Sequence, residues 1–206
     1  LCSVVVEAES GDIIFEKNAH ERRGPASTTK IMTALVALEN SRTDDIVKID
    51  PRAVGTEGSS AYLCAGEKVL LSDLLYAVML GSANDAAAAI AYHIGGSIEG
   101  FAEMMNARAE KLGLSDTHFE NPHGLDGESH YTTAYDLAMI AREALKNENF
   151  RNIVSTKTKA EKLSDGNVTR VFKNHNRLLF EYDDIIGVKT GFTKKCGRTL
   201  VSAAER

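Results

Sequence analysis

The 206-residue sequence contains no tryptophan and only three prolines and three cysteines. Aromatic residues make up 6% of the chain, too few for the stacked aromatic platforms that bind single-stranded nucleic acids. The formal net charge is −5 and no long basic run is present, which excludes nucleic acid as the main ligand. No stretch approaches the roughly 20 consecutive apolar residues of a transmembrane helix.

Neither the cysteines nor the histidines have the spacing of a metal site. Cys2, Cys64 and Cys196 form no Cys-x-x-Cys pair, and we expect Cys64 and Cys196 to be small core residues. The six histidines include no His-Glu-x-x-His motif, and His123 and His130 are expected to lie in a loop. We therefore predict that the protein uses no metal and no cofactor.

Hydrophobic residues make up 43% of the chain and charged residues 26%, which favours a folded core over disorder. We expect residues 1–206 to form a single domain. No signal peptide is present, and the sequence begins directly on an apolar run, Leu1–Val6, that reads as a buried strand. A protein trimmed at its N-terminus would begin in this way.

The apolar pattern predicts strands near both ends of the chain and helices between them. Helices are expected over residues 26–39, 72–80, 85–94, 97–112 and 132–146, the second capped by Ser72 and Asp73. Strands are expected over residues 2–8, 12–16, 46–49, 68–71, 168–173, 185–190 and 197–204, with a polar stretch up to 167. We expect the two ends to pair into one sheet (residues 1–40 and 168–206) around a helical portion (residues 41–167).

The first candidate motif is Ser27-Thr28-Thr29-Lys30, at the start of the first predicted helix. Residues three apart on a helix lie on one face, so the Lys30 amine can reach the Ser27 hydroxyl. A hydroxyl becomes a good nucleophile when a neighbouring base takes its proton. The pattern is common by chance, and the alternative is a serine near a helix start with an exposed lysine one turn on.

Two further motifs occur where the predicted layout can bring them near Ser27. Ser82-Ala83-Asn84 lies at the break between two predicted helices, where side chains can point into a cleft. Ser82 can then relay a proton, and Asn84 can orient a substrate amide or the lysine. The alternative is a helix cap. Lys189-Thr190-Gly191 lies in a predicted strand and offers a positive charge, a hydroxyl and a site of close backbone approach. Its alternative is an edge strand with a protective lysine and a bulge glycine.

In this order, the three motifs match those of serine penicillin-binding proteins and class A β-lactamases. The sequence around the three motifs resembles that of the low-molecular-weight penicillin-binding proteins that are serine-type D-alanyl-D-alanine carboxypeptidases. The resemblance covers nearly the whole chain and is carried by Gly24–Thr33, Leu74–Tyr76, Ser82–Ala86, Thr132–Ala138, Asn174–Leu179 and Gly187–Thr193. It implies the α+β fold of the β-lactamase and transpeptidase class, with an antiparallel sheet from both chain ends, backed by helices, beside a mainly helical subdomain.

The resemblance also implies a mechanism. Ser27 would attack the carbonyl of the penultimate D-alanine of a peptidoglycan stem peptide, with Lys30 as the base. Burial and the charge of Lys189 would lower the pKa of Lys30. Ser82 would pass a proton to the departing D-alanine, Asn84 would complete the catalytic set, and water would hydrolyse the acyl-enzyme.

Substrate contacts follow from the same resemblance. The backbone N–H groups of Ser27 and Phe192 would hold the developing oxyanion. Lys189 and Thr190 would hold the terminal carboxylate, with Gly191 and Thr193 lining the same strand. β-Lactams would mimic the D-Ala-D-Ala end and acylate Ser27.

Three alternatives remain open. A class A-like β-lactamase shares the motifs but needs a carboxylate for fast deacylation, and the loop around Glu120 (residues 119–125) does not resemble the lactamase pattern. A receptor domain that binds β-lactams or muropeptides would be acylated without turnover. A transpeptidase or endopeptidase differs only in the acceptor or the bond cleaved.

The resemblance places the parent protein at the extracytoplasmic face of a bacterial cell membrane. Similar proteins usually continue beyond the third motif with at least one more strand, which supplies an arginine near the substrate carboxylate. Many also carry a further domain with a membrane-binding helix. Because the sequence stops at Arg206, fifteen residues after Gly191, we expect it to be trimmed at both ends. Any membrane association is expected through segments outside the printed sequence.

Overall fold

A computed structural model describes residues 1–162 and 169–205, and these form an α+β fold as the sequence predicts. The helices are α1 (Lys30–Asn40), α2 (Leu71–Met79), α3 (Asn84–Gly95), α4 (Ile98–Lys111), α5 (Ala134–Ala144), α6 (Glu148–Ser155) and α7 (Leu178–Glu181). Short 3-10 turns cover Ala26–Thr29 and Pro51–Ala53. The strands are β1 (Ser3–Val6), β2 (Ile13–Lys17), β3 (Ile46–Lys48), β4 (Lys68–Leu70), β5 (Thr158–Lys162), β6 (Thr169–Lys173), β7 (Ile185–Thr193) and β8 (Gly197–Ala204).

The described strands pair antiparallel as four two-stranded ladders: β1 with β2, β3 with β4, β5 with β6, and β7 with β8. The hairpins of the two chain ends are therefore both antiparallel, as expected. Each is a separate ladder among the described strands, so the expected hydrogen bonding of the two ends into one sheet is not seen there. Helix α5 packs against both β1 and β8, which brings the two hairpins together through side chains.

The core lies between the helices and beneath the β7–β8 hairpin. Helix α1 is buried along most of its length, from Lys30 to Ala37. Helix α3 is also central, because its alanines at 86–89 are fully or almost fully buried and allow α2 and α4 to approach closely. The expected core residues Met32 and Leu35 are 1% and 3% exposed. This rigid helical block positions one wall of the site described below.

Several predicted boundaries need correction. Helix α2 begins at Leu71 with Leu70 at its N-cap and no side-chain cap bond, so Ser72 and Asp73 lie inside its first turn and do not cap it. Cys64 is exposed, because it lies in the turn before β4. Helix α6 and strand β5 occupy much of the polar stretch up to residue 167, where no helix or strand was predicted. Its last part, with the predicted strand start at residue 168, lies outside the described residues.

No helix in residues 1–162 or 169–205 combines the length and apolar character needed to cross a membrane.

Candidate active site

Ser27 lies in the 3-10 turn that leads directly into α1. The preceding residue, Ala26, has φ of +51°, a left-handed conformation that side chains other than glycine rarely adopt. The hydroxyl of Thr28 donates to the carbonyl of Pro25 at 2.6 Å, which fixes the turn from within. Strained backbone of this kind is typical of functional sites, where the surrounding structure must hold it.

The Lys30 side chain is completely buried and is surrounded by three oxygen atoms. Its Nζ lies 3.0 Å from Ser27 Oγ, 2.7 Å from Asn84 Oδ1 and 2.6 Å from the carbonyl oxygen of His123. Burial lowers the pKa of Lys30 well below its ordinary value, and the charge of Lys189 lowers it further. The alternative of an exposed lysine one turn after a serine is therefore excluded.

Asn84 does not cap α3, although it is the first residue of that helix. The N-cap position belongs to Ala83, and no side chain caps the helix. Asn84 instead uses both ends of its carboxamide, accepting from Lys30 and donating from Nδ2 to the carbonyl of Glu57 at 2.5 Å. Its neighbour Ser82 is 5% exposed, has φ of +57° and lines the cleft above Ser27.

Asp85, the residue after Asn84, fixes the loop whose Glu57 carbonyl accepts the hydrogen bond from Asn84. The carboxylate of Asp85 accepts hydrogen bonds from the hydroxyl of Ser60 at 2.7 Å and from the backbone amides of Ala61 and Leu63 at 2.9 and 3.1 Å. This buried carboxylate therefore ties the 57–63 loop to the start of α3. The loop in turn supplies the carbonyl that orients Asn84.

The third motif forms the opposite wall, on β7. Lys189 is 1% exposed, and its Nζ donates to the carbonyl of Thr190 at 3.0 Å. Burial lowers the pKa of Lys189 to about 7. A protective lysine on an edge strand would be exposed, so that alternative is also excluded.

Gly191 allows β7 to approach the nucleophile. A Cβ atom at this position would lie 2.4 Å from Thr199 Oγ1 and 2.8 Å from the backbone nitrogen of Ser27. No side chain fits in that space. The hydroxyl of Thr199 also donates to the carbonyl of Pro25 at 3.0 Å, which ties β8 to the same turn.

These elements enclose an open cleft of about 600 Å³. Phe192 is 63% exposed on its rim, and Thr193 lies just beyond, donating from Oγ1 to Asp126 at 2.9 Å. The structure thus places Ser27 and Asn84 each in contact with Lys30, with Ser82 and β7 around them. The cleft is lined by Ser27, Ser59, Ser82, His175, Asn176, Arg177, Leu178, Thr190, Gly191, Phe192, Arg198, Thr199 and Leu200.

A loop behind the nucleophile completes the site and was not identified as functional from the sequence. Its carbonyl at His123 is the third acceptor of Lys30. Asn121 shapes the turn, because its Oδ1 accepts from the amides of His123 and Gly124 at 3.3 and 2.7 Å. Gly124 has φ of +86°, and a Cβ there would lie 1.9 Å from the Ala26 carbonyl oxygen. The glycine of Pro122-His123-Gly124 was the sequence feature that could have indicated a tight turn at this position.

His130 links the same loop to the nucleophile segment. Its Nδ1 accepts from the amide of Glu120 at 3.0 Å, which leaves the proton on Nε2. That nitrogen lies 2.8 Å from the hydroxyl of Thr29 and donates to it. Burial lowers the pKa of His130 to about 4, so the imidazole is neutral at physiological pH.

The arrangement suits acyl transfer to a serine. Among the described residues, no group of three or more histidine, cysteine, aspartate or glutamate side chains could hold a metal ion. A serine hydroxyl touches a buried amine, and a second amine lies across the cleft. Such a site can form and break an ester on the serine.

Comparisons with known proteins agree with this arrangement. A family model described as D-alanyl-D-alanine carboxypeptidase matches residues 2–206. The chain is 37% identical to the D-alanyl-D-alanine carboxypeptidase DacF of Bacillus subtilis over 211 residues, covering 99% of this chain and 54% of that protein. It is also 37% identical to DacD of Escherichia coli over 216 residues, covering 98% of this chain and 54% of that protein.

Solved structures give the same result. The DD-transpeptidase of a Streptomyces strain matches with a TM-score of 0.91 at 38% identity, covering 98% of this chain and 84% of the other. The carboxypeptidase DacD of Francisella tularensis matches with a TM-score of 0.91 at 32% identity, covering all of this chain and 62% of the other. The chain therefore belongs to the D-alanyl-D-alanine carboxypeptidase family of serine peptidases. It spans about half the length of the first curated relatives it matches.

Proposed function

We propose that this protein is a serine-type D-Ala-D-Ala carboxypeptidase that removes the terminal D-alanine from peptidoglycan stem peptides through an acyl-enzyme on Ser27. The observation that carries the proposal is the contact of Ser27 Oγ with the Nζ of a fully buried lysine. Family membership supports the substrate class, since the relatives are named for this activity.

Lys30 acts as the base because its surroundings suit a neutral amine. A neutral amine has two N–H donors and one lone pair. The two shortest contacts, to Asn84 Oδ1 and the His123 carbonyl, take the two donors. The lone pair then accepts the Ser27 hydroxyl proton across the remaining 3.0 Å contact. Burial provides the low pKa that this role requires at neutral pH.

The β7 wall binds the substrate and the charge that develops during attack. Lys189 and the hydroxyl of Thr190 hold the terminal carboxylate. The amide of Ser27 and that of Phe192 hold the oxyanion. The close approach of Gly191 to the Ser27 amide supports this, because it brings β7 beside the attacked carbonyl.

Departure of D-alanine requires a proton on its nitrogen, and Ser82 supplies it by relay from Lys30. Water then hydrolyses the ester on Ser27. Phe192, Gly191 and Thr193 line the path of the peptide along β7. β-Lactams acylate the same serine, because their strained amide and carboxylate present the same pattern as D-Ala-D-Ala.

The alternatives are a class A-like β-lactamase and a non-turnover receptor. Fast hydrolysis of an acyl-enzyme by a lactamase needs a carboxylate that activates water in the cleft. No aspartate or glutamate is among the described residues that line this cleft. Slow deacylation of bound β-lactam is therefore expected. D-Alanine release distinguishes an enzyme from a receptor.

Peptidoglycan lies outside the bacterial cell membrane, so the proposed activity places this protein at the extracytoplasmic face. Stem peptides and β-lactams are its proposed partners. We propose that any membrane association comes through segments other than the one described.

The deciding experiment measures D-alanine release from a diacylated peptide ending in D-Ala-D-Ala, with fluorescent penicillin labelling in parallel. The wild-type chain is expected to release D-alanine and to be labelled, and Ser27→Ala is expected to do neither. Ser155→Ala is the matched control, since it removes a serine hydroxyl that is exposed, lies outside the cleft and, among the described residues, contacts only the carbonyl of Asn152. D-Alanine release by Ser27→Ala would refute the nucleophile assignment. Labelling of the wild type without release would support the receptor.

A further inference from the structure

Among the described residues, the charged groups that line the cleft are all positive, although the protein carries a net charge of −5. Arg177 and Arg198 line its walls, and Lys189, a residue of β7, is buried. Only one of the two arginines has an ion-pair partner among the described residues: Arg177 lies 3.4 Å from Glu181. The guanidinium of Arg198 is exposed and has no such partner.

The position of Arg198 along the cleft follows from the β7–β8 register. Arg198 lies opposite Phe192, and Leu200 lies opposite Thr190. These two cross-strand pairs share one face of the ladder and are separated by two residues, or roughly 7 Å of strand. Arg198 is therefore displaced from Thr190 toward the β7–β8 turn.

The direction of a bound peptide is set by the proposed contacts, on which this inference rests. The terminal carboxylate lies at Lys189 and Thr190, and the scissile carbonyl lies beside Gly191, where β7 approaches the Ser27 amide. Residues upstream of the scissile bond must then extend past Phe192 toward the turn.

The turn at that end adds two more positive charges, Lys194 and Lys195, both exposed and without an ion-pair partner in the described part of the chain. The carboxylate of Asp126 contacts this turn. It already accepts hydrogen bonds from Thr193 Oγ1 at 2.9 Å and Cys196 Sγ at 3.0 Å. The upstream arm of the cleft thus has three positive charges available to a ligand.

We propose that this upstream arm, made of Arg198, Lys194 and Lys195, selects stem peptides that carry a free side-chain carboxylate on the residue before the penultimate D-alanine. The guanidinium of Arg198 is the main contact, because its planar donors match a carboxylate in bidentate geometry. The two lysines add a long-range attraction that salt screens. Peptides in which that carboxylate is absent or amidated are the poorer substrates.

The test uses two pentapeptides that differ in one group: a diaminopimelate residue before D-Ala-D-Ala, with its side-chain carboxylate either free or converted to the carboxamide. The two side chains have nearly the same shape. For the wild type, kcat/KM for D-alanine release is expected to be about tenfold higher with the free carboxylate, the value of one charge-assisted hydrogen bond in a partly solvated site. The ratio is expected to fall as ionic strength rises.

Arg198→Gln is expected to bring that ratio close to one. Arg42→Gln is the matched control, because it removes an arginine whose side chain is 80% exposed and makes its ion pair outside the cleft, with Asp44. The control is expected to keep the wild-type ratio. Penicillin labelling of each variant verifies that Ser27 remains reactive.

Equal kcat/KM for the two peptides in the wild type would overturn the inference while leaving the proposed activity intact. So would a ratio that survives both Arg198→Gln and the triple variant with Lys194→Gln and Lys195→Gln. If the wild type released D-alanine from neither peptide, the proposed function would fail, and the inference with it.

Discussion

The two lysines of the cleft are equally buried but differ in what surrounds them. Lys30 has three oxygen atoms within 3.0 Å of its Nζ, from a serine, an asparagine and a backbone carbonyl. In the described part of the chain, Lys189 makes one hydrogen bond, to the carbonyl of the next residue at 3.0 Å. Burial lowers the pKa of both, well below the ordinary value for Lys30 and to about 7 for Lys189.

The difference indicates two separate uses of the same side chain. Lys30 is fixed in position by protein atoms, as a base must be if it is to meet one hydroxyl. Lys189 has donors left for a ligand and titrates near neutral pH, so an incoming carboxylate can bind it and hold its proton. This difference supports the proposal that Lys30 transfers a proton and Lys189 binds an anion.

The largest effect is expected from Lys30→Met. Loss of the base lowers the rate of Ser27 acylation by about 10³-fold, within the range for general-base catalysis. The variant also loses stability, by roughly 2 kcal/mol, because the buried oxygens of Asn84 and His123 lose their donor. Stopped-flow acylation by a fluorescent penicillin measures the first effect and denaturant unfolding the second. Acylation at the wild-type rate would show that another group takes the proton.

Lys189→Met is expected to affect binding of the substrate carboxylate. For a peptide ending in free D-alanine, kcat/KM should fall by about 10²-fold, as for loss of a charged hydrogen bond. For the methyl ester of the same peptide, the loss should be less than about threefold, because the ester has no charge to bind. A comparable loss with both peptides would place Lys189 in the chemistry, beside Lys30.

The stability of Lys189→Met should contrast with that of Lys30→Met. An unfolded lysine binds its proton up to about pH 10.5, whereas native Lys189 loses it near pH 7, so the wild type becomes more stable as pH rises through this interval. Below pH 7 the native state must bury the charge. The methionine variant avoids that cost, and its Tm should exceed that of the wild type most clearly at pH 6. A lower Tm at every pH would contradict this contrast.

The last effect is expected behind the nucleophile, at His130, and concerns only how stability depends on pH. Its pKa is lowered to about 4 in the native state, so the unfolded state takes up the proton first as pH falls below about 6.5. Stability is therefore lost between pH 6.5 and 4, by up to about 3 kcal/mol. His130→Gln should reduce the slope of stability against pH in this interval. The same change at the exposed residue His20 should leave that slope unchanged. An unchanged slope in His130→Gln would assign the acid sensitivity to another group, such as His123.

The sequence predicted the side-chain part of the site and missed its backbone part. Ser27, Lys30, Asn84 and Lys189 could be located because their chemistry depends on residue type. The carbonyl of His123 could not, because every residue has one and only the turn set by Asn121 aims it at Lys30. Ser82 and Asn84 also resembled helix caps until the structure placed Ala83 at the cap.

The fold, too, could be predicted only in part from the sequence. Most helices were located from apolar spacing, since packing of one face dictates it. Helix α6 was missed although Phe150, Ile153 and Val154 have helical spacing and Asn147 caps the helix through the amide of Phe150. Its eight residues gave too short a pattern to stand out from the polar stretch around them. Pairing between the hairpins of the two ends was expected from chain order and from the family resemblance, and chain order does not determine which strand edges meet.

Burial lowers the pKa of Lys30 well below its ordinary value and that of Lys189 to about 7 in the same cleft. NMR titration of the lysine side chains, with carbon-13 at Cε and assignment by Lys30→Met and Lys189→Met, measures both directly. We expect the resonance of Lys30 to titrate well below pH 10.5 and that of Lys189 to titrate near pH 7. A Lys30 that keeps its proton up to about pH 10 would contradict its role as the base.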